Sequence, residues 1–413
     1  MPRSQSTQDV TSWLRLAYAG LPTHRTRALL AHFGSPDEVF SAAHSSALEL
    51  RSEFKITEKG VQKLRDCASK DVARQLDAME EHQIEVVPES EFPSLLCQIG
   101  DDVPPFLFIR GEFLPQDERA IAIVGTRNMT EYGRGLAHTF GVELARAGWT
   151  VASGLARGID TAAHQGALDG GGRTLAVTGC GLDIVYPSEN RELMTRIESS
   201  GAVLSEWAPT TPPEAWHFPA RNRIIVGLSR AIIVVEAKQK SGALITATIA
   251  ANHDRTVFAV PGNIHKPQSR GPHQLIKEGA VLLESIEDAL EYLGSAVETL
   301  DFDEEDEPET APSISIRTTA RATNIAPTSI PRSSKPSSPP SSGREEAAPP
   351  SNLAPHELRL FLLLEADPRH LDDLAEAASL DAGPTNAALV MLELKGFARR
   401  LPGNLFVKSG KTA

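Results

Sequence analysis

The sequence predicts an α/β protein centred on a doubly wound, mostly parallel sheet, with an N-terminal all-helical domain and a C-terminal winged-helix module. Three observations lead there. Short apolar, β-branched-rich runs recur at Ala120–Val124, Trp149–Ala152, Thr174–Thr178, Ala202–Leu204, Ala231–Val235 and Thr256–Val260, each separated by enough chain for a helix. Residues 1–85 instead repeat apolar side chains at helical spacing, as in Trp13, Leu14, Leu16, Ala17 and then Leu29, Leu30, Phe33. The last sixty or so residues read as three helices and a hairpin, the winged-helix plan.

Taken in order, the expected domains are 1–85, 86–296, a linker over 297–351 and a module over 352–410. In the first, Gly20-Leu21-Pro22 ahead of Ala28-Leu29-Leu30 resembles a helix-hairpin-helix or SAM-like unit, whose turn amides can touch phosphate; a small helical domain that only packs on its neighbour fits equally. In the second, continuous apolar strands imply a parallel sheet covered on both faces, where ligands bind outside the carboxyl ends of the strands. The linker is acidic, with seven carboxylates in Asp301–Glu309, then Ser/Pro-rich, a composition with little to bury. The module is read as helices over His356–Glu365, Leu371–Ser379 and Pro384–Lys395 and a hairpin turning at Pro402-Gly403-Asn404. Its third helix begins Thr385, Asn386, Ala387, Ala388, without the basic residues of a groove reader, so contact with protein is as open as contact with duplex.

A chain of 413 residues with 41% hydrophobic content can form two to four domains. Residues Met1 to Trp13 carry no apolar run, and nowhere do about eighteen apolar residues gather to span a bilayer, so the expected location is the cytoplasm without membrane insertion. Cys67, Cys97 and Cys180 are odd in number and far apart, which leaves neither a disulfide framework nor a CxxC metal site. The net charge of −13 argues against a polyanionic partner until it is mapped. Residues 119–280 hold 17 Lys plus Arg against 13 Asp plus Glu.

Three turns are read at the carboxyl ends of these strands: Gly125-Thr126-Arg127, Ser153-Gly154-Leu155-Ala156-Arg157-Gly158, and the arginine-rich Phe218-Pro219-Ala220-Arg221-Asn222-Arg223. This third turn places two arginines ahead of an apolar run, and Lys240-Ser241-Gly242 follows a later strand. Guanidinium forks and amides at helix starts suit phosphate, and Phe218 or Trp216 could stack on a base. No GxGxxG, ribose-binding acid or GxxxxGK[ST] is present, which disfavours a dinucleotide or a P-loop. Ser153, Asp160 and His164 are the residue types of a hydrolytic triad, but Asp160 and His164 stand four apart on one helix, where a capping Asp with a salt-linked His is the plainer reading. Glu236 is open between a base and a carboxylate that orients Arg221 or Arg223. No catalytic residue, metal or cofactor is expected.

The series Ile123-Val124-Gly125-Thr126-Arg127, Thr130 with Tyr132-Gly133, Ser153 to Asp160, Ala163-His164, Gly181-Leu182-Asp183 with Tyr186-Pro187, Ser205-Glu206, Phe218 to Arg223, Glu236-Ala237, Ser241-Gly242 and Val260-Pro261-Gly262 resembles the bacterial DNA-processing protein family DprA, or Smf, over roughly residues 90–290. The resemblance implies a non-enzymatic protein with an extended Rossmann-like domain. It would bind single-stranded DNA entering in natural transformation, shield it and load the RecA recombinase. By motif it puts contacts at Gly125, Thr126, Arg127, Ser153, Gly154, Arg157, Gly158, Phe218, Arg221, Asn222, Arg223, Lys240, Ser241 and Gly242. It also implies a homodimer, at an apolar cluster with Leu275 and Ile276, which could otherwise just close the sheet's own core. A rival reading is a nucleotide-binding or nucleotide-processing enzyme of the phosphoribohydrolase type; Gly170-Gly171-Gly172-Arg173-Thr174 lacks the Pro and spacing of that family's phosphate motif.

Overall fold

The computed structural model describes residues 7–300, 353–365, 369–380, 382–401 and 405–409. From residue 301 onward the predicted linker lies outside the described residues, as does the expected hairpin turn at Pro402-Gly403-Asn404.

The chain opens with six helices, α1 (Thr7–Ala17), α2 (Thr23–Phe33), α3 (Pro36–Ser45), α4 (Ala47–Ser52), α5 (Glu58–Ala68) and α6 (Ala73–Glu81). Local chemistry sets their ends: the Ser35 hydroxyl accepts from the Glu38 amide, Thr57 accepts from the Gly60 amide, and Gly34 closes α2 at φ 84°. Their apolar faces merge with the sheet into one core, where Trp13 meets Phe106 with ring centroids 5.1 Å apart.

A hairpin the sequence pattern did not predict follows: β1 (Glu85–Pro88), a short helix α7 (Ser94–Cys97) and β2 (Phe106–Gly111). Then come β3 (Ala120–Val124), α8 (Glu131–Arg146), β4 (Thr150–Ser153), α9 (Ile159–Asp169), β5 (Thr174–Val177), α10 (Arg191–Ser200), β6 (Ala202–Ser205), α11 (His217–Gly227), β7 (Ala231–Val234), α12 (Gly242–Asn252), β8 (Thr256–Ala259), α13 (Arg270–Lys277), β9 (Val281–Leu282) and α14 (Ile286–Leu300). All six predicted strands form. The sheet order is β1-β2-β6-β5-β4-β3-β7-β8-β9, parallel from β6 to β9 and antiparallel at the β1, β2 edge.

Alternation within β3 divides the core. Ile121 and Ile123 pack with Phe140, Leu144 and Ile159 of α8 and α9, while Ala122 and Val124 pack with Ile224, Ile225 and Ile245 of α11 and α12. Among the described residues no helix is long and apolar enough to cross a membrane.

The C-terminal module comprises α15 (Pro355–Leu363), β10 (Arg369–His370), α16 (Leu371–Ala378), α17 (Ala382–Leu394), β11 (Ala398–Leu401) and β12 (Leu405–Lys408), its strands ordered β10-β12-β11 around Leu360, Leu374, Leu389 and Phe406. Helix α17, the third helix of a winged-helix plan, lies against α11. Val390 joins the core on that face of the sheet, a Cβ on Gly383 would stand 2.6 Å from the Trp216 ring, and Arg400 Nη2 is 3.2 Å from Asp102 Oδ2. Burial works to raise the Asp102 carboxyl, but His253, Arg400 and Arg223 hold it down at about 2. The missing positive charge on this helix thus has a physical counterpart, since its face is taken up by protein.

Candidate nucleic-acid interface

Because the central strands are parallel, every loop that leaves a carboxyl end emerges on one rim. Backbone hydrogen bonds join neighbouring loops: Ile159 N donates to Thr126 O at 3.3 Å and Thr126 N to Glu236 O at 2.7 Å. The glycines make this approach possible. A Cβ on Gly125 would meet Ile159 at 2.5 Å, and one on Gly158, at φ 84°, would lie 2.3 Å from Thr126 O.

A cleft opens on the rim over β3, β4 and β5. It is lined by Arg127, Gly154, Ala156, Arg157, Thr178, Gly179, Tyr186, Pro187 and Phe218. The Phe218 and Tyr186 rings lie 5.4 Å apart, and the Arg127 guanidinium sits 5.2 Å from the Phe218 centroid. Arg127, Arg157 and Tyr186 are exposed; Arg157 forks onto Glu189 at the surface. On the next loop Lys238 and Lys240 are exposed, Lys240 at φ 64°, and the Ser241 hydroxyl caps α12 by accepting from the Ala243 amide at 3.4 Å, with open space around Gly242. Tyr186, Thr178 and Gly179 were not among the expected contacts, although Tyr186-Pro187 following a strand was a visible sign.

The Arg-Asn-Arg stretch departs from the expectation. It is not a turn presenting forks to solvent but the middle of α11, in which every residue from Ala220 to Gly227 is buried. Arg221 donates to the carbonyls of Gly154 at 2.8 Å and Val177, and its Nε donates to Asn222 Oδ1 at 3.0 Å. Arg223 forks onto Glu206 at 2.5 and 2.9 Å. Trp216 likewise turns from the cleft toward Gly383.

Arg221 belongs to a buried polar cluster beneath the Gly154 loop. Asp160 accepts from the amides of Gly154 and Ala156, and burial raises its carboxyl to about 6 against the pull of Arg221. Burial pushes the Arg221 guanidinium down to about 10. The Leu155 amide donates to His164 Nε2 at 3.3 Å, so His164 Nδ1 carries the proton and donates to Thr174 Oγ1 at 2.6 Å; burial lowers this imidazole to about 3. The amides of Gly154, Leu155 and Ala156, expected to face a ligand, point inward instead.

The same contacts dissolve the triad. Ser153 is fully buried with its hydroxyl on Ile123 O at 2.6 Å, and the salt-linked Asp160–His164 pair expected from spacing is replaced by separate partners. Glu236 holds no arginine: it accepts from Thr130 N at 2.8 Å and Thr130 Oγ1 at 2.5 Å, at the start of α8. A protein carboxylate therefore occupies the helix start that would hold a dinucleotide phosphate. Gly170 to Gly172 lie between α9 and β5, at the sheet's opposite edge from the rim. Among the described residues, no group of three or more His, Cys, Asp and Glu side chains could hold a metal ion.

The sheet, the cation-lined and aromatic rim and the winged-helix module define a Rossmann-like protein whose groove offers charge and flat apolar surface. Comparisons with known proteins are specific. Residues 83–294 match the DNA recombination-mediator protein A family and residues 344–404 the DprA winged helix domain. The DNA processing protein DprA of Bacillus subtilis is 44% identical over 223 residues, 53% of this chain and 75% of that one. Protein Smf of Synechocystis is 35% identical over 334 residues, 79% and 81%. The X-ray structure of DNA processing protein A from Streptococcus pneumoniae overlays with a TM-score of 0.58 at 35% identity, covering 67% of this chain and 95% of that one. The chain belongs to the DprA (Smf) family.

Proposed function

We propose that this chain is a cytoplasmic, non-enzymatic DNA-processing protein that binds single-stranded DNA along the carboxyl rim, shields it during natural transformation and delivers it to the RecA recombinase. In this reading it acts as a homodimer through Leu275 and Ile276, with the domain limits given above. The observation that carries the reading is the cleft in which Arg127 and Arg157 flank the Tyr186 and Phe218 rings. Cations take phosphate without reading sequence, and stacked rings accept any base that is not already paired.

The contact residues then divide by role. Arg127, Arg157, Lys240 and Phe218 meet the strand, with Thr126, Ser241 and Gly242 at the rim beside them. Gly125, Ser153, Gly154, Gly158, Arg221, Asn222 and Arg223 shape the groove from below, because their side chains or missing Cβ atoms are committed to protein neighbours.

The test is a salt titration of affinity for unstructured single-stranded and duplex DNA of equal length. A single-strand preference and a steep negative salt slope are expected, with Arg127→Ala and Phe218→Ala each weakening binding while the protein stays folded. Equal affinity for the two forms, or affinity unmoved in both variants, would overturn the reading. Strand exchange by a RecA recombinase on protein-coated single strands tests delivery separately.

A further inference from the structure

We infer that the rim carries a second contact station for the same strand, formed by Tyr132, Ile264, Lys266 and Arg270, so that a long single strand is held at two places. This inference rests on the single-strand reading above.

The loop connections continue beyond the cleft. Ala237 N donates to Gln268 O at 2.8 Å and Gly271 N to Ala237 O at 2.9 Å, which clips the segment after β8 onto the loop after β7. The loops after β4, β3, β7 and β8 therefore form one ledge. With neighbouring strands about 4.8 Å apart and β8 two to four strands from β3, β4 and β5, the β8 end stands roughly 10–20 Å from the Phe218 cleft.

The far end of this ledge repeats the chemistry of the first. Tyr132, at the start of α8, is 53% exposed, yet its ring is positioned by a hydroxyl that donates to Pro261 O at 3.1 Å. Ile264 is 72% exposed, which gives the fold nothing and presents an apolar surface to a ligand. Lys266 and Arg270 are exposed on the same segment, while the nearby Glu131 is engaged by Arg134 on its own helix. Cations interleaved with apolar and aromatic surface fit a polymer with an anionic backbone and uncovered base faces. A duplex hides those faces, and a simple anion needs no apolar partner.

The full-length chain is titrated with fluorescent oligothymidylates of about 4 and about 16 nucleotides, the range of site sizes single domains cover. Tyr132→Ala is expected to weaken the long strand roughly 5- to 150-fold and leave the short strand unchanged, with Tyr132→Phe retaining most of the affinity. Lys266→Ala with Arg270→Ala is expected to flatten the long-strand salt slope by about 1.4, at about 0.7 per phosphate contact. Should Tyr132→Ala fail to fold, the two exposed cations carry the test.

If Arg127→Ala weakens both lengths while these substitutions leave the long strand unmoved, the second station is refuted and the single-strand reading stands. If Arg127→Ala moves neither length, the reading beneath it fails. A loss of long-strand affinity that appears only together with dissociation of a dimer, followed by sedimentation, makes the patch a protein interface and overturns the inference.

Discussion

Arg221 illustrates how an arginine can shape a groove from beneath it. Its guanidinium holds the carbonyls of Gly154 and Val177 from below, and Gly154 must lack a side chain because a Cβ there would lie 2.2 Å from Arg221 Nη2. Removing the arginine leaves Asp160 buried without its compensating charge, so Arg221→Ala should cost about 3–5 kcal/mol in chemical denaturation. Wild-type stability in that variant would show that the guanidinium does not hold the loop. His164 adds a pH signature. The unfolded imidazole takes up a proton near 6.5, whereas the folded one, lowered by burial, resists to about 3. Its stabilising contribution is therefore present above pH 6.5 and lost as pH falls toward 3, at about 1.4 kcal/mol per unit. Asp160, raised to about 6, works in the opposite sense, favouring the fold as pH falls from 6 toward 4. His164→Asn removes the first effect and leaves the second, so relative to the wild type it should gain stability as pH falls from 6.5 to 4, as denaturation midpoints would measure.

Among the elements, α8 and α9 make the tightest pair. Gly141 of α8 faces Ala163 O and Ala167 N of α9, and Gly166 of α9 faces the carbonyl of His138. A Cβ on Gly166 would stand 2.1 Å from that oxygen, so the helices cannot keep their separation in Gly166→Ala. The expected loss is about 1–3 kcal/mol, read as a lowered midpoint of unfolding. An unchanged midpoint would mean that the two helices slide apart without cost. Both helices begin at the rim, after the Arg127 and Arg157 loops. The same scale explains the winged-helix module, whose α17 lies on α11 through Val390 and the Arg400–Asp102 contact.

For the whole molecule, the edge of the sheet at β9 is where the proposed homodimer would form. Leu282 on that strand is 46% exposed, and Leu275 and Ile276 on α13 are half-buried. Leu275 also packs against the sheet's own core. Changing both to Glu should yield a folded monomer by sedimentation, with a larger loss of affinity for long single strands than for short ones, because two linked grooves raise the effective concentration for a long strand. An unmodified protein that sediments as a monomer well above its DNA-binding concentration would exclude this interface.

Six of the seven parallel strands were legible in the sequence because burial on both faces demands continuous apolar runs, whereas the two-residue β9 is too short to leave such a run. The β1, β2 hairpin was not: Glu85-Val86-Val87-Pro88 is short, ends in proline, and pairs with Phe106–Gly111 only across a long connection. The turns at Gly125 and Gly154 were legible too, since parallel topology alone brings them to one edge. What tertiary structure decided was direction. Arg221, Asn222 and Arg223 read as a polar turn, but α11 lies between the sheet and α17 and has no solvent face over their length, so both guanidiniums find carbonyl and carboxylate partners inside. A sequence states which groups can bind phosphate. Only packing, by leaving Arg127 and Arg157 outside and drawing Arg221 and Arg223 within, determines which of them are in a position to do so.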